Sequence, residues 1–379
     1  MQSKQKIHKV LLNKWYFSKK MKHLRISIRI CFILIANIYA QNDPYFYHAK
    51  KFGSESIFNP VTTIINGGFG ILQIGNRSNC LQTVDFKNGI KNVNHNLAHP
   101  IEMINEYGWH NFIFHEIVPA SLKPASAQYF PNYLNHLIGG GYTYRALQEW
   151  YIHYNFSHPK ILAFSSLMAY HYLNEVVENN RFVGPNIDPI ADFYIFNVAG
   201  LILFSSDKIA NFFGNTLSLR DWSFMPGYNP HLNSVENIGQ NFIIRIKVPY
   251  TKRWRMMYHW GSHGMYGLSY NYRQKDSFSI AGGLVAKELL KTNKVTRVRE
   301  LTASLVWTAG LFWDRENSLL ASLILSGTKG YKARLNIYPG VIKTSYCSPG
   351  LFINLRKDNS IVFGVFFNLF PIGVSHSFN

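Results

Sequence analysis

Cysteine is scarce in this chain, with three residues in 379, and one of them, Cys31, falls in a leader expected to be removed. A disulfide-rich scaffold is therefore excluded. Cys80 and Cys347 remain, and either one bridge or two separate thiols fits an exported protein. Gln41, not a cysteine, stands directly after Ala40, so a lipoprotein cleavage site is not supported. Long apolar runs are missing as well: 161–173 and 193–204 are too short to cross a bilayer as helices. Neither a Gly-x-Ser-x-Gly elbow nor a His-Glu-x-x-His pair occurs, which removes two common hydrolase signatures. Acidic residues are few, 20 against 39 Lys and Arg, and charged residues reach only 16% of the chain. Aromatic residues are plentiful, also at 16%.

The formal charge of +19 is unevenly placed. Residues 1–40 carry nine Lys or Arg and no acid. Met21 offers a better start than Met1: Lys22, His23 and Arg25 lead into "ISIRICFILIANIYA", which closes on the small Ala40. A basic start, a short apolar run and a small-residue exit are the marks of a secretory signal peptide cleaved near Ala40. Beyond it, residues 41–216 hold ten basic and twelve acidic residues, whereas residues 217–379 hold twenty and eight. That change of electrostatic character is a boundary signal. The basic residues alternate along strands and do not gather on one face with stacking aromatics, so nucleic-acid binding is not expected.

From about residue 217 the pattern has period two, the side-chain repeat of a strand. In residues 301–313 the odd positions read Leu, Ala, Leu, Trp, Ala, Leu, Trp. Phe242, Ile244, Ile246 and Val248 alternate with Arg245 and Lys247. Trp254, Met256, Tyr258, Trp260, Tyr266, Leu268, Tyr270 and Tyr272 share a face opposite Arg255, His259, His263 and Arg273. Ile361, Phe363, Val365, Phe367 and Leu369 form another apolar face. Segments of about ten residues, aromatics toward strand ends and an aromatic beside the C-terminus, Phe378, fit an outer-membrane β-barrel. "RQKDS", "WDREN" and "RKDNS" read as hairpin turns; "GSHG" and "SGTKG" raise the strand count from eight to ten if both reverse the chain. Arg245, Lys247, Arg255, His259, His263 and Arg273 are then lumen-facing, because such groups do not face lipid cheaply.

The first half has helical periodicity. Residues 132–154 carry an Arg145/Glu149 pair at i,i+4 and three glycines, 139–141, suited to close backbone approach. A second helix, 161–178, collects His171, Asn174, Glu175 and Glu178 on one face. Asp188-Pro189 reads as a helix start, with Asp188 as cap and Asp192 in the first turn of a helix running to about 205. Closing this hairpin brings Glu175, Glu178, Arg181, Asp188 and Asp192 together, with His171 one turn deeper. These carboxylates are expected to answer the basic lumen or rim.

Asn96, His99 and Pro100, followed by Glu178, Pro185, Asn186, Asp188, Asn197 and Gly200 ahead of a β-rich tail, resemble an uncharacterised bacterial outer-membrane protein family. The resemblance covers about residues 94–205 and implies a location rather than a reaction.

The expected architecture is α+β: leader 1–40, an irregular segment 41–93, a short-helix region 94–215 and an antiparallel barrel 216–379 of about eight, alternatively ten, strands. The expected role is structural, in assembly or maintenance of a Gram-negative cell envelope. Outer-membrane lipid, including lipopolysaccharide, and another outer-membrane protein are the expected partners. A lipid-modifying hydrolase is the alternative, with His171 and Glu175, or His376 and Ser377, as candidate catalytic groups. No cofactor is implied, and the spacing of the histidines calls for no metal.

Overall fold

The computed structural model describes residues 44–378, apart from 75–78, 120–129, 182–185, 289–290, 293–298, 301–303, 328–329 and 345–346. The expected leader, its Ala40 exit and Pro185 lie outside the described residues. Residues from Pro44 onward form one compact unit. Its chain is helical as far as Thr216 and stranded from Arg220, in line with the α+β expectation.

Helices form where the sequence supplies a start. Asn59 caps Pro60–Gly68 by accepting from the Thr62 amide, and Asp85 caps Phe86–Ala98 by accepting from that of Asn88. The region 41–93, expected to be irregular, therefore carries helix. Pro100 opens Pro100–Tyr107, and Pro159 opens the long helix Pro159–Glu178. The helix expected over 189–205 begins at Asp188, with Ile187 rather than Asp188 in the cap position. It is not uniform: Asp188–Ala191 and Asn197–Phe204 are α-helical, and Asp192–Phe196 between them is a π-turn. Three more π-helical segments, Phe112–Ile117, Phe130–Gly140 and Phe212–Thr216, occur among the described residues, the second running into Gly141–His153. No single helix among the described residues is long and apolar enough to cross a membrane.

The glycines allow the close approach expected of them. A Cβ on Gly200 would lie 2.5 Å from the Leu137 carbonyl oxygen and 3.2 Å from the Gly141 nitrogen. One on Gly141 would meet the Phe204 ring at 2.4 Å. Both contacts of Gly200 are to backbone, which cannot rotate away. Gly200→Ala is accordingly expected to destabilise the helical part by about 1–3 kcal/mol through overpacking, read as a lower thermal midpoint.

The strands are β1 Arg220–Asp221, β2 Gly227–Asn229, β3 Ser234–Glu236, β4 Phe242–Lys247, β5 Trp254–Trp260, β6 His263–Asn271, β7 Asp276–Glu288, β8 Lys291–Thr292, β9 Arg299–Glu300, β10 Ser304–Arg315, β11 Ser318–Ser326, β12 Tyr331–Ile337, β13 Gly350–Arg356, β14 Ile361–Phe366 and β15 Gly373–Phe378. Thirteen of them form one sheet in the order β1-β4-β5-β6-β7-β10-β11-β12-β13-β14-β15-β2-β3, while β8 and β9 pair separately. Every long neighbour pair from β4 to β15 is antiparallel, and the expected turns join them: Glu316 and Asn317, with φ of 52° and 68°, link β10 to β11, and Asn359, φ 70°, lies in the β13–β14 turn. "GSHG" and "SGTKG" both sit where the chain reverses.

Two features depart from the barrel expected from the sequence. The sheet is mixed, since β15 pairs with β2 in parallel, and hydrogen bonding does not close it. The cause is the segment 220–236, whose strands of two or three residues are too short to show a period. This segment supplies both edges of the sheet: β1 borders β4, and β2 with β3 borders β15. Only residues 222–226 join β1 to β2, a reach of about 20 Å at most, so the two edges must come near one another. Consistent with that curl, Ile243, Met257, Met265, Ala281, Phe312, Ile324, Phe352 and Val362, from eight different strands, share one buried cluster.

The buried face is also polar. Arg245 gives two parallel hydrogen bonds to Asp314, at 2.8 and 2.9 Å. His259 and His263 stack with 2.6 Å between Nδ1 and Nε2, and the Ser269 and Ser279 hydroxyls meet at 2.6 Å. Glu236 accepts from Arg356, from the Tyr331 hydroxyl at 2.9 Å and from Ser234 at 2.7 Å. The opposite face presents Tyr266 at 72% exposure, Ile280 at 62% and Trp307 at 57%. Apolar groups thus cover the outer face, while the inner face sets these ionic pairs among the apolar cluster.

Candidate functional site

Helical spacing places His171, Glu175 and Glu178 along one face of Pro159–Glu178, and the turn after that helix returns the chain through Asn186 to Asp188. Three π-segments supply further groups to the same region: Glu116 from Phe112–Ile117, His136 from Phe130–Gly140 and Asp192 from Asp192–Phe196. A π-turn shifts the register of the side chains that follow, and such turns recur at functional sites.

Glu175, Asp188 and Asp192 each offer a carboxylate oxygen, all within 4.8 Å of one another. Glu175 is 1% exposed and Asp192 2%. Asn179, one turn after Glu175, donates to its Oε2 at 3.0 Å. Asn186 donates to Asn179 Oδ1 at 2.7 Å, its own amide donates to Asn96 Oδ1, and its Oδ1 accepts from the Asp188 amide. An asparagine chain from Asn96 through Asn186 to Asn179 thus fixes the Glu175 carboxylate.

On the other side, His136 Nε2 lies 3.2 Å from Asp192 Oδ2, and its Nδ1 lies 3.2 Å from Asn197 Oδ1. The tautomer that donates from Nδ1 to Asn197 leaves Nε2 with a lone pair facing Asp192. That contact is favourable only if Asp192 carries a proton or a cation is shared. His171 packs against His136 with tilted rings and centroids 4.6 Å apart, is 1% exposed, and neither ring nitrogen has a partner among the described residues. Gly140 makes room for it, since a Cβ there would stand 3.3 Å from His171 Nε2.

The electrostatics follow from burial. Burial pulls His136 down to about 4 against the opposing effects of Asn197 and the Glu178 charge. It pulls His171 further down, reinforced by His136. Both imidazoles are neutral at pH 7, the form that ligates or accepts a proton. Burial pushes Asp192 well up, reinforced by Asp188, Glu175 and Glu116. The site holds proton-binding capacity without exposed charge.

The sequence placed Glu175, Asp188, Asp192 and His171 together, and the structure brings them together. Arg181, expected among them, is exposed at the end of its helix, and Glu178 is half-buried with its charge reaching His136. Of the motif residues, Asn96, Asn186 and Asn197 are buried at the site and Gly200 packs behind it. His99 instead faces outward with Nδ1 on the His95 carbonyl, and Pro100 begins the next helix. Asn179 was not foreseen; its position four residues after Glu175 was the available signal.

Three arginines of the sheet find their acids within the strand region. Arg245 is paired by Asp314, Arg356 by Glu236 and Arg315 by Asp276, all from the strand region itself. His259 and His263 are buried as expected and Arg255 is half-buried, but Lys247 and Arg273 are exposed. Lys247 is the last residue of β4, and Arg273 lies in the β6–β7 turn, beyond the covered length of the sheet. The alternative pair His376 and Ser377 does not form a relay. His376 is exposed against Phe378 and His231, whereas Ser377, next along the strand, points the opposite way and accepts from Asn229 Nδ2 at 3.1 Å. Cys80 and Cys347 form no disulfide.

No known protein family, curated protein or solved structure matches this chain.

Proposed function

We propose that this chain is an integral outer-membrane protein of a Gram-negative envelope, exported on its N-terminal leader and held in the bilayer by the strand region. In the membrane the curled sheet acts as a small barrel, its edges brought together by the segment 220–236. The helical part then stands on the periplasmic side and serves a structural or envelope-maintenance role. The carrying observation is the apolar outer face, with Tyr266, Ile280, Trp307, Leu311 and Val374 exposed, over an inner face where Arg245, Asp314, Glu236 and His259 are buried. Lipid supplies what the outer face lacks, and the internal pairs satisfy the polar groups that lipid could not. The motif residues that resemble an outer-membrane family favour the same location.

Ile280→Arg tests this. On a lipid-facing position near mid-strand it is expected to cost about 2–4 kcal/mol, seen as a reduced yield of folded, heat-modifiable protein in membranes. On a water-facing surface the same change costs within about 0.5 kcal/mol. Fractionation is expected to place the wild-type chain in the membrane pellet, resistant to carbonate and released by detergent. Recovery of a monomer dispersed in detergent-free buffer, together with an unaffected Ile280→Arg variant, would overturn the proposal.

A further inference from the structure

We propose that Glu175, Asp188 and Asp192, completed by His136 with His171 beside it, form a binding site for a first-row divalent transition metal ion. Two independent observations carry this. The first is geometric: three carboxylate oxygens within 4.8 Å of one another is the spacing of ligands around one ion, and two of the three side chains are almost wholly buried. Three carboxylates cannot all remain ionised so close together away from water unless a cation or protons compensate them. The second is what surrounds them. His171 has both ring nitrogens unpartnered among the described residues at 1% exposure, and Asp192 Oδ1 is likewise unpartnered. Buried polar atoms are ordinarily satisfied, so an imidazole and a carboxylate oxygen left open on either side of His136 indicate a group that the protein atoms do not supply.

The donor set selects the kind of ion. Carboxylate oxygens with an imidazole nitrogen suit Zn²⁺, Mn²⁺ or Fe²⁺, whereas Ca²⁺ prefers six to eight oxygens and Mg²⁺ keeps several of its waters. His136 is already oriented for the task. Its Nδ1 lies 3.2 Å from Asn197 Oδ1, and with Nδ1 donating there the Nε2 lone pair faces Asp192 at 3.2 Å, the arrangement typical of a metal-ligating histidine. Asn179 holds Glu175 in the same way from the outer shell. Binding requires no exchange of bonds or electrons: the ion enters and any proton shared by the carboxylates leaves to water. The site would tie three helical segments, Phe130–Gly140, Pro159–Glu178 and Asp188–Phe196, to one ion. The inference is independent of the membrane reading, because these helices are the same whether or not the sheet lies in lipid.

The test uses the full processed chain in detergent, stripped with dipicolinate and dialysed against trace Zn²⁺ or Mn²⁺, with metal content measured by mass spectrometry. Co²⁺ replacement is read by visible absorption. About one equivalent per chain is expected, with a higher thermal midpoint on loading. Asn179→Ala, which loosens Glu175 without removing a donor, is expected to weaken binding about 10- to 100-fold. Asp192→Asn should abolish stoichiometric binding. A double variant at the exposed, stacked His95 and His99 should leave it intact and so identifies adventitious binding. Should Asp192→Asn fail to fold, His171→Gln and the loading-dependent midpoint of the wild type decide. A metal-free wild type indifferent to all three ions, or one equivalent lost with His95 and His99 and retained in Asp192→Asn, overturns the proposal and leaves proton sharing as the explanation of the cluster.

Discussion

Asp314→Ala is expected to lower the unfolding free energy of the strand region by about 3–5 kcal/mol, among the largest effects of any single change in this chain. Asp314 and Arg245 face each other with side chains about 1% exposed, joined by two parallel hydrogen bonds. Asp314 also accepts from the Asn317 amide at 3.2 Å, and Arg245 donates to the Asn317 side chain as well. Removing the carboxylate leaves a guanidinium that cannot lose its charge at any accessible pH, with the Trp222 ring beside it at 5.4 Å as a weak partner. An uncompensated buried cation accounts for the penalty; the pair itself contributes much less. The double change Arg245→Met with Asp314→Leu is therefore expected to recover most of the loss, because it removes both charges at once. Urea titration of tryptophan fluorescence in detergent measures both, with Trp222 donating to the Asn317 carbonyl close to the lesion. A single variant as stable as wild type would mean that water reaches Arg245 and that the sheet interior is not dry.

Much of this was legible in the sequence because strands and helices write their periods directly. The alternation around Arg245, and the odd–even pattern of residues 304–313, mark the two faces of the sheet. Turn residues such as Glu316-Asn317 and Asn359 located the reversals. What the alternation could not carry was pairing across long separations. Arg245 and Asp314 are 69 residues apart, and Arg356 and Glu236 are 120. A count of charges per half showed an excess of bases and suggested that the helical acids compensate them, whereas three acids of the strand region, Asp314, Glu236 and Asp276, each pair with a particular arginine. The two- and three-residue strands β1, β2 and β3 were invisible for a simpler reason: a period needs more residues than they have. In the helical part, spacing on one helix found His171 and Glu175, and the Asp188-Pro189 start found the return. Glu116 and His136 reach the cluster through π-turns, which carry no residue signature that separates them from ordinary helix.

Glu149→Gln is expected to release residues 45–47 from the helix Gly141–His153. Glu149 lies inside Gly141–His153 at 7% exposure and receives three consecutive backbone amides: Tyr45 on Oε1 at 3.1 Å, and Phe46 and Tyr47 on Oε2 at 2.8 and 3.0 Å. Arg145 donates to Oε1 at 3.2 Å and to Asp207 at 2.7 Å, which fixes the carboxylate from the far side. An amide in its place keeps one oxygen and turns an NH₂ group toward donors, so at least one contact becomes donor against donor. Hydrogen bonds to a charged acceptor contribute about 1.5–3 kcal/mol each, so a loss of about 2–4 kcal/mol is expected. Its location gives the loss structural reach. The segment continues to Gly53 and Ser54, where Ser318 donates to the Phe52 carbonyl at 2.8 Å and the Leu319 amide donates to Ser54 at 3.2 Å. One strap therefore joins the helix carrying Glu149 to the β10–β11 turn of the sheet. Hydrogen exchange by mass spectrometry should show protection falling about 100-fold at Phe46 and Tyr47, the equivalent of roughly 2.7 kcal/mol. If the strap couples helices to sheet, the amides of Ser318 and Leu319 lose protection with it. Faster exchange confined to residues 45–47 would instead make Glu149 a local cap, with the strap held independently at its far end by Ser318 and Leu319.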